Sequence, residues 1–160
     1  MKIMYKIDKI DRKIVDLLIE DGRMSASDIS RRIEGVSERA VRYRIERMVG
    51  EKIIRIGVIP NPRALGYSIV ADVFIEVETN SIQDVAQKLA QFENVSYVAC
   101  SIGERDVSAQ VIAHDASEVY AFVTEVIGKI PGVRKTTTSI VPLKLKDVYE
   151  WRIPASAVKE

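Results

Sequence analysis

Three short helices are predicted in the first fifty residues by the spacing of apolar side chains. The first covers about residues 9–21, and its apolar face carries Ile10, Ile14, Leu17 and Leu18. Ser25 and Ser37 stand where they cap the second and third helices, since a serine hydroxyl accepts a hydrogen bond from free amides there. Three helices of this length, with a tight link between the last two, predict a helix-turn-helix domain over residues 1–52.

The period of the apolar residues changes in the second half of the chain. Strand-like segments are 69–78, 95–102, 107–113 and 133–141, and amphipathic helical segments are 82–90 and 117–130. This order predicts a ferredoxin-like βαββαβ domain over residues 67–150, with both helices on one face of an antiparallel sheet. The fold class is therefore α+β. Because the other sheet face is left uncovered, we expect a second copy to cover it, which makes the protein at least a dimer.

Two segments lie outside these domains. Residues 53–66 begin with several β-branched residues, and we expect a β hinge or linker that is ended by Pro60 and Pro62. Residues 151–160 are expected to form a C-terminal extension, in which Trp151 serves as a packing or interface anchor.

Charge divides the chain at the same place as the apolar pattern. The whole chain has 24 basic and 23 acidic residues, which argues against a nucleic-acid partner when taken alone. Residues 1–60, however, hold 14 basic against 10 acidic residues, and the remainder holds 10 against 13. The first part is thus net +4 and the second net −3, which indicates a division of labour and a basic surface on the first domain.

Composition also sets the compartment that we expect. The N-terminus has no apolar signal segment, and no apolar stretch is long enough to cross a bilayer. Cys100 is the only cysteine, so an internal disulfide is excluded. We expect a cytoplasmic protein.

The third predicted helix carries the candidate nucleic-acid contacts. If Val41 is the centre of its buried face, a rotation of about 100° per residue places Arg39 and Tyr43 near the opposite side. Arginine bonds guanine bidentately in the major groove, and tyrosine reaches phosphates. The candidate DNA-binding residues are Ser37, Glu38, Arg39, Arg42, Tyr43, Arg44 and Arg47. In the alternative interpretation these arginines are solvated charges paired with neighbouring glutamates.

Two ordered sets of motifs resemble one known family. Ile7-Asp8-Lys9-Ile10-Asp11, Asp21-Gly22-Arg23-Met24-Ser25 and Val36-Ser37-Glu38-Arg39 are similar to the helix-turn-helix region of the Lrp/AsnC transcription regulators. Gly103-Glu104-Arg105-Asp106 and Pro131-Gly132-Val133 resemble the effector-binding RAM domain of that family. The resemblance implies a winged-type helix-turn-helix that binds palindromic DNA as a dimer, with assembly often to octamers. It also implies a small effector, commonly an amino acid, between RAM domains.

The resemblance also implies which residues bind the effector. The candidates are Gly103, Glu104, Asp106, Thr136 and Thr138. Gly103 lets the backbone approach the ligand, Asp106 receives an α-ammonium group, and the two threonines bond a carboxylate or a side chain. Taken without the resemblance, glycine and aspartate are ordinary turn residues and a threonine run is ordinary strand composition.

Other functions remain as alternatives of different strength. An RNA-binding βαββαβ domain stacks bases on sheet aromatics, but the predicted strand 107–113 contains none. A non-DNA-binding sensor, or a regulatory subunit of an amino-acid metabolic enzyme, remains open as the second interpretation. His114 and Cys100 are single residues of their type, and no nucleophile motif or P-loop occurs. We therefore expect no enzyme activity, no metal and no cofactor other than an amino-acid effector.

Overall fold

The computed structural model describes residues 5–158, and residues 1–4 and 159–160 of the expected end segments lie outside the described residues. The chain divides into two compact units. The first unit comprises Met1–Ile59 together with Leu145–Glu160, and the second unit comprises Pro60–Lys144. The polypeptide therefore passes from one unit to the other twice.

The first unit contains the three helices that the apolar spacing predicts. They are α1 (Lys9–Glu20), α2 (Ala26–Arg32) and α3 (Glu38–Gly50). Ser25 and Ser37 are N-caps, and their hydroxyls accept hydrogen bonds from the amides of Asp28 at 3.0 Å and Ala40 at 3.2 Å. Each cap satisfies one amide that the first turn of a helix leaves free, which explains why the helices begin where they do.

The core of the first unit is built from one face of each helix. Its buried apolar residues are Ile7, Ile14, Val15, Ile29, Ile33, Val41, Met48 and Ile153. Ile153 comes from the C-terminal segment, for which the sequence suggested no packing role beyond Trp151. Ile153 is 9% exposed and Trp151 is 61% exposed, so Ile153 packs in this core and Trp151 does not, while an interface role for Trp151 stays a prediction.

The expected β hinge is not formed as a strand. Residues 53–61 have no regular secondary structure, and Pro62–Leu65 is a short 3-10 helix. A strand needs a hydrogen-bonded neighbour, and the described residues of this chain supply none here, so Val58 and Ile59 remain exposed. The described part of the first unit contains no strand at all, so the expected wing is also missing from it.

The second unit has the predicted βαββαβ order. Its elements are β1 (Ile69–Val77), α4 (Ile82–Leu89), β2 (Val95–Cys100), β3 (Val107–Ala113), α5 (Ala116–Ala121) and β4 (Val133–Ile140). After α5 the helical path continues through a π-helical turn, Phe122–Val126, and a 3-10 turn, Ile127–Lys129. The sheet order is β2-β3-β1-β4 with every neighbouring pair antiparallel, so the predicted fold class is confirmed.

Alternate residues of the two central strands face the helices. β1 contributes Ala71, Val73, Ile75 and Val77, and β3 contributes Val107, Ala109, Val111 and Ala113. Val85 and Leu89 of α4 and Val119 of α5 close the core from the other side. Gly132 begins the approach to β4 with φ +91°, and a Cβ there would lie 2.5 Å from the Cβ of Ser81, so only glycine fits.

Leu89 anchors α4 to the sheet, and its truncation tests this packing. Leu89 is fully buried, so Leu89→Ala should lower the free energy of unfolding by about 2–5 kcal/mol through lost burial and the cavity left behind. Leu143 is 69% exposed, and Leu143→Ala should change it by about 0.5 kcal/mol or less. Urea titration followed by circular dichroism gives both values, and equal losses would contradict the assigned core.

Candidate functional site

The outward side of α3 presents most of the side chains predicted to contact nucleic acid. Ser37, Glu38, Arg39, Arg42 and Arg47 are exposed, and Tyr43 is 61% exposed. The opposite side of the helix is anchored by Val41 and Met48, which are fully buried. The structure thus brings the predicted contacts together on one accessible surface, except for Arg44.

Arg42 is already oriented along the helix by an acidic neighbour. Its Nη2 donates to Oε1 of Glu38 at 2.6 Å, one turn earlier. Both side chains are about half exposed or more, so this ion pair is weak in water. Arg42 can therefore leave Glu38 to bind a stronger anion. Arg39 has no such ion pair among the contacts of the described residues.

Arg44, unlike the other candidates of α3, points towards α1. Its Nη1 donates to Oδ2 of Asp8 and to Oδ1 of Asp11, both at 2.7 Å. The Asp11 side chain is 2% exposed and that of Arg44 is 26% exposed. A buried carboxylate is costly unless it is paired and hydrogen-bonded, so Arg44 stabilises Asp11 in this position.

The two aspartates also form the start of α1. The amide of Asp11 donates to Oδ1 of Asp8 at 2.8 Å, and the amide of Asp8 donates to Oδ2 of Asp11 at 3.1 Å. Burial raises the pKa of Asp8, but the amides of Asp11 and Ile10 and the Arg44 guanidinium outweigh it and hold that pKa below its usual range. The Asp-x-x-Asp spacing is the signal from which this reciprocal cap was predictable.

Tyr5 and Arg47 extend the same cluster. The Arg47 guanidinium lies 4.7 Å from the centre of the Tyr5 ring, which is a cation–π contact. Burial, a hydrogen bond to Asp11 and the negative charge of that carboxylate raise the pKa of Tyr5 to about 12. Arg47 therefore remains exposed as predicted while its guanidinium is held over a ring that precedes α1.

In the second unit the candidate effector turn is tied to the end of β1. Oδ2 of Asp106 accepts the amide of Val77 at 2.7 Å, and the amide of Asp106 donates to the carbonyl of Ile75 at 3.1 Å. The same oxygen lies 3.9 Å from Nη2 of Arg134, which is exposed on β4. Arg134 was not among the candidates from the sequence, although a cation beside a carboxylate is suited to bind a charged ligand.

The other candidates in this turn and on β4 are more open. Gly103 has φ +147°, a conformation that favours glycine, and both Gly103 and Glu104 are exposed. Thr136 pairs with Ile75, and Thr138 pairs with Val73, so both threonines lie on the helix-covered side of the sheet at its edge. Thr136 is half-buried and Thr138 is exposed.

Two surface cavities stand out in the described structure, and neither is lined by these effector candidates. The first, of about 390 Å³, is lined by Asp21, Arg23, Met24, Asp28, Arg31 and Arg32. The second, of about 510 Å³, lies between α4 and the helical turns that follow α5, and it is lined mainly by α4 and by residues 125–131. Within residues 5–158 no helix is long and apolar enough to span a membrane.

A basic three-helix unit with an exposed third helix, joined to a βαββαβ unit, defines a helix-turn-helix regulator with a ligand-binding domain. Family models agree, since residues 7–49 match the AsnC-type helix-turn-helix domain and residues 70–150 match the Lrp/AsnC ligand binding domain. The chain belongs to the Lrp/AsnC family of DNA-binding transcriptional regulators. The relatives that it matches are regulators rather than enzymes.

Similar proteins cover nearly the whole chain. A transcriptional regulator of Pyrococcus horikoshii, PH0140, is 41% identical over 147 residues, which cover 91% of this chain and 90% of the relative. LrpA of the same organism is 34% identical and covers 88% of this chain and 99% of its own. Escherichia coli AsnC has the same fold, with a TM-score of 0.81, 21% identity, and coverage of 91% and 99%. The NMB0573 regulator of Neisseria meningitidis, solved as a complex with L-Met, has a TM-score of 0.82, 21% identity, and coverage of 89% and 94%.

Removal of Arg44 should destabilise the first unit in a pH-dependent way. Arg44→Ala leaves a buried carboxylate unpaired and should lower the free energy of unfolding at pH 7 by about 3 kcal/mol. Because the folded-state pKa of Asp8 is lowered, its stabilising contribution is present above the ordinary carboxyl pKa and is lost as pH falls through the folded value. The cost should therefore shrink below about pH 4.

Urea titrations at pH 7 and pH 3 measure this difference. Arg39→Ala, on the same helix but exposed, is the matched control and should change stability by about 0.5 kcal/mol or less. Equal losses in the two variants, or an Arg44→Ala loss that is the same at both pH values, would contradict the structural role of Arg44.

Proposed function

We propose that the protein is a sequence-specific regulator that reads palindromic promoter DNA as a dimer or a higher oligomer and responds to an amino acid. The proposal of DNA reading rests on one observation, which is that α3 has an exposed side and a side that is held against α1. Arg39, Arg42 and Tyr43 are exposed, while Arg44 is bound to the buried Asp11. A recognition helix must be held rigidly from behind if its outward side chains are to meet base edges in a fixed register.

In this proposal the first two turns of α3 enter the major groove. Arg39 and Arg42 are the candidates for guanine contacts, and Tyr43 and the amides after Ser37 are candidates for phosphates. Glu38 keeps Arg42 extended along the helix until the DNA replaces it. A symmetric dimer would place two such helices about 34 Å apart, which explains a preference for palindromic sites.

The proposed amino-acid site lies around the end of β1. A zwitterion needs an acceptor for its ammonium group and a donor for its carboxylate, and Asp106 and Arg134 offer both within 3.9 Å of each other. Thr136 and Thr138 add hydroxyls on the adjoining edge strand, and Gly103 and Glu104 complete the turn. The L-Met bound to the Neisseria regulator supports the choice of ligand class.

The proposed dimer uses the sheet face that the helices leave open. That face carries Asp72 bonded to the Gln110 amide at 3.0 Å, and Phe74 beneath the guanidinium of Arg105, 4.2 Å from the ring centre. In one chain Asp72, Phe74 and Gln110 are half-buried and Arg105 is exposed. A second copy packed on the same face would bury the Phe74 ring. It would also bring the turn that contains Arg105 close to the same turn of the other copy.

DNA binding by α3 is tested with a duplex that the full-length protein enriches from a random pool. Arg39→Ala and Arg42→Ala should each weaken binding by about 1–3 kcal/mol where the arginine reads a base, with relaxed preference at one position. The control is Arg63→Ala, an exposed arginine of the second unit that should leave the preference unchanged. Unchanged affinity and preference in both α3 variants would favour the second candidate, a sensor or regulatory subunit that does not bind DNA.

Effector binding is tested by thermal unfolding with L-methionine and with each other amino acid at millimolar concentration. A ligand of the native state at 100 times its Kd adds about 2.7 kcal/mol and raises the midpoint. Thr136→Val and Thr138→Val should reduce this shift. Thr137→Val should not, because Thr137 pairs with Phe74 and lies on the opposite side of the sheet. If no amino acid raises the midpoint, the effector proposal fails while DNA reading stands.

A further inference from the structure

The described end of the chain, residues 152–158, packs against the three-helix part of the first unit. Ile153 is 9% exposed and belongs to the core of that unit, and Val158 packs against the same core. Nη1 of Arg152 donates to Oδ1 of Asp16 at 3.0 Å, and its Nη2 lies 3.7 Å from Oε1 of Glu20. Residues more than a hundred positions downstream thus complete the domain that carries α3.

The docking is confined to a short segment. Leu145, Val148 and Trp151 are 87%, 76% and 61% exposed, so the stretch immediately before Arg152 adds little apolar burial. Anchorage therefore depends on the buried Ile153, the partly buried Val158 and one arginine between two carboxylates. Contacts of this size open more readily than a helical core, so the segment belongs to the less stable part of the fold.

The helix that receives this segment is also the helix that holds the recognition helix. Asp16 and Glu20 lie about one and a half and two and a half turns beyond Asp11 on α1, and Asp11 binds Arg44 of α3. Contacts therefore run continuously from Arg152 through α1 to the back of α3. The C-terminal segment is thus connected through α1 to the helix that carries the exposed arginines.

We propose that the C-terminal segment is a clip that positions the DNA-reading helix, with Arg152 and Ile153 as positioning residues. The clip holds α1 in the geometry in which Asp11 and Arg44 fix α3. Because the clipped state binds DNA better, DNA binding and clip docking favour each other. The inference rests on DNA reading by α3. It gives Arg152 and Ile153, which lie outside the helix-turn-helix motif, a role in DNA affinity.

A charge swap in the full-length protein tests the clip, with the duplex enriched by the wild-type protein as the probe. Arg152→Glu sets three carboxylates together and should weaken DNA binding by about fivefold or more. Adding Asp16→Lys to Arg152→Glu restores an opposite pair and should recover most of the loss, a coupling that a double-mutant cycle measures. Arg63→Glu makes the same change of net charge at an exposed site of the second unit and is the electrostatic control.

Amide hydrogen exchange supplies the second readout. In Arg152→Glu and Ile153→Ser the amides of α1 should exchange faster while those of β1 and β3 are unchanged, and Leu145→Ser, at an exposed position, should alter neither. Equal weakening by Arg152→Glu and Arg63→Glu without rescue, or unchanged exchange in α1, would overturn the clip. A pool from which the wild-type protein enriches no duplex would instead count against DNA reading itself.

Discussion

The ion pair between Asp11 and Arg44 is the constraint on which the proposed DNA-reading surface depends. Asp11 is almost completely buried, and a buried carboxylate requires a partner of opposite charge in a fixed position. That requirement holds Arg44 against α1 and ties α3 to α1. The remaining arginines of α3 are directed outward because this one is directed inward.

In the ligand-binding domain, the packing of the sheet determines where the candidate effector residues lie. Its sheet buries one face under two helices, and the end of β1 becomes the place where the turn of Asp106 and the edge strand β4 meet. The chain then leaves β4 and returns to α1 through Arg152 and Ile153. The domain that is proposed to bind an effector and the domain that reads DNA are therefore linked covalently at two points.

The helices and the strand order were predictable because each is encoded by spacing between near neighbours, and the family was predictable from the resemblance of two ordered sets of motifs. Ser25, Ser37 and the alternation along β1 are examples, and the structure places them as expected. The inward direction of Arg44 was not predicted, although Arg44 follows Val41 by three positions and lies only about 60° from the centre of the buried face. Its residue type outweighed its position, because nothing near it in sequence identified Asp8 and Asp11 as its partners.

The amino-acid sequence by itself determined the α+β architecture, the two domains, the basic first half and the family, since these follow from local periodicity, capping and motif order. Only the tertiary structure decided that Arg44 pairs with the buried Asp11, that Ile153 rather than Trp151 is buried, and that residues 53–59 form no strand. The physical reason is the same in each case. These outcomes depend on partners or neighbours that lie tens of residues away or are not provided within the described chain, and local patterns carry no information about them.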